Sequence, residues 1–181
     1  MINILLSGCL GRMGANIIKC AQDDERVNIV AGVDKNDPPE DFGFPVYKSF
    51  SEIRPDTKFD VIIDFSNPST LTSLLDIATK RKTPAVIATT GLSDDQNELL
   101  KSASQSIAVF SSANMSIGIS LITELSKTAA KVLGPAFDIE ILEAHHAGKL
   151  DAPSGTALMI ADGVSSVLDE SPEYIYDRHN R

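Results

Sequence analysis

The sequence predicts an α/β fold, an open parallel sheet wound with helices on both faces, followed by the start of a smaller α+β domain. Three observations predict it. Short apolar runs recur at residues 2–6, 27–33, 59–65, 84–88 and 107–110, most of them ending in small or polar residues, as strands buried on both faces do. Segments with helical periodicity and helix-start signals stand between most of these runs. The first strand-to-helix junction is a glycine-spaced turn, Gly8-Cys-Leu-Gly11-Arg-Met-Gly14. Strands alternating with helices around such a turn make a doubly wound sheet of the Rossmann type.

The first strand covers residues 2–6 and ends at Ser7. Gly8 makes the tight turn, Gly11 admits a pyrophosphate to the backbone, and Gly14 lets helix and strand pack closely. Leu10 stands where the commoner Gly-x-Gly-x-x-Gly has its second glycine. Arg12 and Met13 then lie along the cofactor. The second strand, residues 27–33, ends at Asp34, 20 residues beyond Gly14, where an acid takes the adenosine ribose diol. Lys35 beside it offers a cation to a 2′-phosphate, so the pair predicts a relaxed choice between NADH and NADPH.

Residues 36–44 carry Pro38-Pro39 and three acids and read as a surface loop. Order resumes at Val46 and over residues 49–53. After the strand at 59–65, Pro68 with Ser69 and Thr70 as caps starts a helix to about residue 80. The strand at 84–88 runs into Thr89-Thr90-Gly91. Ser93, Gln96 and the acids Asp94 and Asp95 then predict a capped helix to residue 104. The last strand of the sheet, 107–110, leads to Ser111-Ser112-Ala113-Asn114-Met115. Ligands of such sheets bind beyond the C-terminal ends of the strands, which points to residues 8–13, Asp34, Phe65, 89–91 and 113–115. Taken singly, Thr89-Thr90-Gly91 and Asn114 read as ordinary turn chemistry.

Residues 116–133 predict a long helix with Ile117, Leu121, Ile122 and Leu125 on one face, stopped by Gly134-Pro135. It bridges a dinucleotide-binding domain, residues 1–115, and a substrate-binding domain, residues 116–181. In the second, residues 138–143 alternate polar and apolar and read as a half-buried strand. A helix follows from about residue 156 to 168, and the tail 169–181 is polar with no evident packing partner. One strand and two helices cannot close a sheet, so the chain reads as C-terminally truncated.

Between that strand and that helix runs Glu143-Ala-His145-His146-Ala-Gly-Lys149-Leu-Asp-Ala-Pro-Ser-Gly155-Thr156. Histidine titrates near neutrality and exchanges protons, and a lysine beside an imidazolium or partly desolvated does likewise. The amides of Gly155 and Thr156, at a helix start, suit a carboxylate. Together they describe a site for an acidic substrate that takes up protons. For the histidine pair alone, a solvated loop is an equal reading. Adjacent histidines without a nearby cysteine lack zinc spacing, so no metal is expected.

The 181 residues are 43% hydrophobic and 23% charged, as soluble globular proteins are. A net charge of −9 without a basic patch argues against nucleic acid. Two cysteines, Cys9 and Cys20, make no disulfide framework and favour a reducing compartment. The start lacks a basic signal region and no apolar run approaches membrane-spanning length, so a cytoplasmic protein off the membrane is expected.

These residues resemble the bacterial 4-hydroxy-tetrahydrodipicolinate reductase (dihydrodipicolinate reductase) family across nearly the whole chain. The resemblance is carried by Gly8–Gly14, Thr89-Thr90-Gly91, Ala113-Asn114 and above all Glu143-Ala-His-His…Lys…Asp-Ala-Pro-Ser-Gly-Thr-Ala157. It implies that His145 is the general acid/base, Lys149 its proton-donating partner and His146 a substrate contact, with Gly155 and Thr156 holding a substrate carboxylate. It also implies nucleotide contacts at Gly8, Cys9, Leu10, Gly11, Arg12, Met13, Asp34, Lys35, Ala88, Thr89, Thr90, Ser112, Ala113, Asn114 and Met115. Ala88 stands where the family often has Gly, and Met115 where it often has an aromatic. The resemblance implies hydride transfer from NADH or NADPH to a cyclic dicarboxylate in lysine and diaminopimelate biosynthesis. Family members continue past residue 181 through strands that build a substrate and oligomerisation domain, which implies a homotetramer for the full-length protein. Two other readings remain open at this point: a different two-domain NAD(P)-dependent dehydrogenase, and a nucleotide sensor without turnover. The proton-donating loop argues against the sensor.

Overall fold

The computed structural model describes residues 1–112, 114–149 and 152–177. The chain divides into two units, residues 1–112 and residues 113–181. Along the first run β1 (Ile2–Ser7), α1 (Arg12–Gln22), β2 (Val27–Val33), β3 (Val46–Tyr47), β4 (Val61–Asp64), α2 (Leu71–Arg81), β5 (Ala85–Ile87), α3 (Asp94–Ser104) and β6 (Val109–Ser111). The sheet order is β3-β2-β1-β4-β5-β6, and every pairing is parallel. Chain direction across the sheet reverses between β1 and β4. That is the switch point at which doubly wound sheets bind ligands.

Contiguous apolar runs form these strands because both faces are covered. Leu5, Ile62 and Ile87 are fully buried in a cluster with Leu71, Leu74 and Ala78 of α2 and Leu100 of α3. On the other face Ile4, Leu6 and Cys9 pack with Ile17 and Ile18 of α1. Burying each such Leu or Ile stabilises the fold by about 1.5–3 kcal/mol.

Local signals set several ends. Ser93 Oγ accepts from the Gln96 amide while the Gln96 side chain accepts from the Ser93 amide, a reciprocal cap at the start of α3. The cap before α2 differs from expectation. Asn67, not Ser69 or Thr70, accepts from the Ser69 amide at 3.0 Å, ahead of a 3-10 turn over Pro68–Thr70. Proline disfavours helical backbone in the residue before it, and Asn67 is therefore extended, as a capping residue must be.

The second unit contains α4 (Ile117–Leu133) and α5 (Gly155–Ser165). They pack where Gly163 faces Thr123: a Cβ on Gly163 would come to 2.8 Å of the Thr123 methyl. Thr123 and Ala130 are the buried residues of α4. The apolar stripe of α4 lies elsewhere, with Ile117 87% exposed and Leu125 60% exposed. Residues 138–143 form no strand, contrary to their alternation. A strand exists only when a neighbouring strand completes its ladder, no strand of the described residues lies in a sheet with these, and Leu142 is 93% exposed. The tail has a partner after all, since Tyr174 Oη donates to Asp162 of α5 at 2.8 Å. Among the described residues no helix is long and apolar enough to cross a membrane.

Candidate functional site

In the first unit the glycine turn follows β1 at the switch point. The Gly8 amide donates to the Val33 carbonyl at 2.9 Å, and Gly8 has φ of +75°. A Cβ there would lie 2.5 Å from the Phe65 carbonyl oxygen. One on Gly14 would overlap the Gly8 and Cys9 carbonyls, so only glycine lets α1 start this close to β1. Gly11 is the N-cap of α1 and has no side chain to cap it. The amides of Arg12 and Met13 are thus the first two of a helix that lacks a built-in acceptor, the arrangement that receives phosphate.

Asp34 sits just beyond β2, where its carboxylate is tied to the turn. Oδ2 accepts the Leu10 amide at 3.0 Å, and Oδ1 accepts the Asn36 amide at 3.0 Å. Leu10, in the place of a glycine, contributes here through its backbone. Lys35 is exposed; its carbonyl accepts from Lys48 Nζ, which also pairs with Asp37. Cys9 is buried, and desolvation followed by the nearby Asp34 charge pushes its thiol up to about 12.

Beside this turn lies a cavity of about 380 Å³ lined by Cys9, Leu10, Ala15, Asn36, Asp37 and Phe42 among others. That volume is in the range of small-molecule sites. The loop at 36–44, read from sequence as surface alone, therefore supplies one wall. Its signal was its position, directly after the acid at the C-terminal end of β2. The glycine cradle, the acid and this cavity fit the adenosine and pyrophosphate of a dinucleotide.

At the ends of β4 and β5, Asp64 is 1% exposed and accepts from Ser66 Oγ at 2.5 Å and Thr89 Oγ1 at 2.6 Å. Thr89 Oγ1 in turn accepts the Ser66 amide at 3.1 Å. The hydroxyl of Thr89 is thus used inside the protein, and Asp64, which the sequence did not single out, is the acceptor. Ala88 is half-buried and donates its amide to the Asp64 carbonyl, Thr90 is exposed, and Ser112 donates its amide to Ile87.

In the second unit, Ser154 caps α5 by accepting the Ala157 amide at 3.1 Å. This leaves Gly155 and Thr156 at the first two helical positions with no acceptor from the cap. Among the described residues, nothing beyond its own turn and chain neighbours lies within 4 Å of where a Gly155 Cβ would be. The Thr156 hydroxyl accepts from Asn114 Nδ2 at 2.9 Å, and Asn114 Oδ1 accepts the Ser116 amide. Asn114 thereby joins the starts of α4 and α5. Met115 is 41% exposed, and Ala113 lies outside the described residues.

The loop before α5 holds the titratable groups. His145 Nε2 is 2.7 Å from Glu143 Oε2, and Glu143 Oε1 accepts the Ser154 amide at 2.9 Å. Those bonds, Ser154 first and His145 second, hold the Glu143 carboxyl well below its usual range, at about 2. His146 Nδ1 accepts the Gly148 amide at 3.2 Å, and the Lys149 amide closes a turn onto the His146 carbonyl. Glu143 was missed as a site residue by sequence reasoning; its signal was the Glu-x-His spacing. Among the described residues no group of three or more His, Cys, Asp or Glu is placed to hold a metal ion.

The sequence-derived candidates thus form two sets. Gly8 to Met13, Asp34 and Lys35 lie around the turn and cavity of the first unit, and Ala88, Thr89, Thr90 and Ser112 follow its strands β5 and β6. Asn114, Met115, His145, His146, Lys149, Gly155 and Thr156 belong to the second.

Comparison with known proteins bears on both units. The family described as dihydrodipicolinate reductase, N-terminus, matches residues 2–115, and dihydrodipicolinate reductase, C-terminus, matches residues 118–180. A 4-hydroxy-tetrahydrodipicolinate reductase of Caldanaerobacter subterraneus subsp. tengcongensis is 49% identical over 181 residues, 100% of this chain and 70% of that protein. One from Clostridium tetani is 45% identical over 178 residues, 98% of this chain and 69% of the relative. Among solved structures, dipicolinate-bound dihydrodipicolinate reductase from Paenisporosarcina sp. TG-14 is similar, with a TM-score of 0.77 and 26% identity, covering 99% of this chain and 71% of the other.

Proposed function

The chain belongs to the dihydrodipicolinate reductase family, and from that premise we propose that it carries out the reaction for which its relatives are named. It is an NAD(P)H-dependent oxidoreductase that reduces 4-hydroxy-tetrahydrodipicolinate to tetrahydrodipicolinate in lysine and diaminopimelate biosynthesis. The observation that carries the reading is the pair of amides at Gly155 and Thr156, given no acceptor by the Ser154 cap or by any other described residue, beside a loop bearing His145 and Lys149. A dicarboxylate needs such a hold, and its reduction needs a proton source.

The nicotinamide cofactor supplies hydride when bound. Gly8, Gly11 and the first amides of α1 receive its pyrophosphate, and Asp34 receives the adenosine ribose. Asp34 beside Lys35 and Lys48 suits both NADH and NADPH. Cys9, Leu10, Arg12, Met13, Ala88, Thr89, Thr90, Ser112, Ala113, Asn114 and Met115 complete the nucleotide contacts, Thr89 through its backbone because its hydroxyl is bonded to Asp64.

His145 is the general acid/base, Lys149 its proton-donating partner and His146 a substrate contact. Gly155 and Thr156 bind a carboxylate with main-chain N–H groups and the positive end of α5. Preorganised donors of this kind stabilise charge that develops on the substrate without reorganising. A homotetramer is the assembly this reading carries, and the exposed apolar stripe of α4 is surface that such assembly would cover.

The test is oxidation of NADH and of NADPH with freshly generated 4-hydroxy-tetrahydrodipicolinate. Turnover with both is expected; oxidation of neither ends the reading. His145→Gln should lower kcat by about 10²–10⁴-fold, the worth of general acid–base catalysis, with cofactor Kd unchanged.

A further inference from the structure

Glu143 has a place in the geometry that the acid/base scheme above does not use. One carboxylate reaches two elements. Its Oε2 meets His145 Nε2 at 2.7 Å, two residues on, and its Oε1 takes the Ser154 amide at 2.9 Å, eleven residues on. Ser154 is itself fixed: it is 4% exposed, its hydroxyl caps Ala157, and its carbonyl accepts the Leu158 amide. The carboxylate therefore anchors the imidazole to the first turn of α5.

We propose that Glu143 is a positioning residue that holds His145 in the Nε2–H tautomer and at a fixed distance from the Gly155–Thr156 amides. An ionised carboxylate only accepts, so the nitrogen 2.7 Å from it carries a proton. Nδ1 is then the ring nitrogen through which a neutral His145 exchanges protons with a substrate. The low carboxyl pKa agrees, since the acceptor stays ionised across the working range. Holding the orienting group and the carboxylate-binding amides in one hydrogen-bonded unit places proton donor and substrate in register. The inference rests on the reductase reading for its catalytic meaning and on geometry alone for the tautomer.

Glu143→Gln separates these. A glutamine that still accepts from the Ser154 amide turns its –NH₂ toward His145, which requires an unprotonated Nε2. The experiment records nitrogen-15 histidine spectra of the wild type and of Glu143→Gln at alkaline pH, with steady-state kinetics of both. In the wild type neutral His145 is expected as the Nε2–H tautomer, and in the variant as Nδ1–H or a mixture. The variant's kcat should fall by at least about tenfold, within the span of acid–base catalysis, with cofactor Kd unchanged. A wild-type spectrum showing Nδ1–H overturns the proposal whether or not the variant folds. So does a variant with unchanged tautomer and kcat. If the wild type oxidises no cofactor with this substrate, the functional reading fails while the tautomer result still decides the positioning claim.

Discussion

The Leu10 amide donates to Asp34 Oδ2 at 3.0 Å, so the acid at the end of β2 braces the glycine turn that follows β1. In the proposed reading the same carboxylate takes the ribose diol, so the two duties would share one charge. Asp34→Asn keeps the size and removes that charge. A hydrogen bond to a charged group is worth about 1.5–3 kcal/mol, so NADH should bind roughly 10- to 150-fold more weakly. NADPH should lose less, because the acid also repels its 2′-phosphate. Calorimetric Kd values for both nucleotides check this, and equal losses would contradict it.

Asp64 depends on two hydroxyls below the surface. Thr89→Val removes one donor and the acceptor of the Ser66 amide. Leaving a buried acceptor short costs about 1–3 kcal/mol, read as a lower urea midpoint. Thr90→Val, at an exposed neighbour, should stay within about 0.5 kcal/mol. Matching midpoints in the two variants would refute the role given to this network.

Burial and the Asp34 charge keep Cys9 a thiol, with its pKa pushed up to about 12, whereas Cys20 is exposed. A thiol reagent at pH 8 should label Cys20 quickly and Cys9 only on unfolding, since the thiolate is the reactive form. Fast labelling of both in the native protein would contradict the packing of the glycine turn.

Glu143 makes the loop before α5 sensitive to acid. Its folded pKa, about 2, lies below its ordinary value of 4.5. A depressed carboxylate contributes stability that is present above pH 4.5 and lost as pH falls toward 2. Limited proteolysis of the loop should therefore accelerate across that window in the wild type. Glu143→Gln should start faster and change less with pH. Asp24, held low by Arg26, titrates in the same range in both proteins and cancels in the difference.

Much of this was legible in the residues. Ser93 and Gln96 announced the cap of α3, residues 27–33 coincide with β2, and the glycine turn lies at the junction where its spacing put it. Such features follow from neighbours along the chain: backbone freedom at glycine, a cap three residues from its amide, apolar runs that only a doubly covered sheet can bury.

What sequence could not give depends on partners distant in the chain. Residues 138–143 alternate as a strand does, yet alternation states a preference for a face and supplies no neighbouring strand. Asp64 reads as an ordinary strand end until Thr89, 25 residues on, closes over it. The wall formed by Asn36 and Phe42 appears only when β2 lies beside β1. Glu143 shows its purpose only when the first turn of α5 brings the Ser154 amide to its second oxygen. Local chemistry selected the elements. Hydrogen-bond acceptors buried or shared across tens of residues were settled by the fold, because only there does each find the donor that satisfies it.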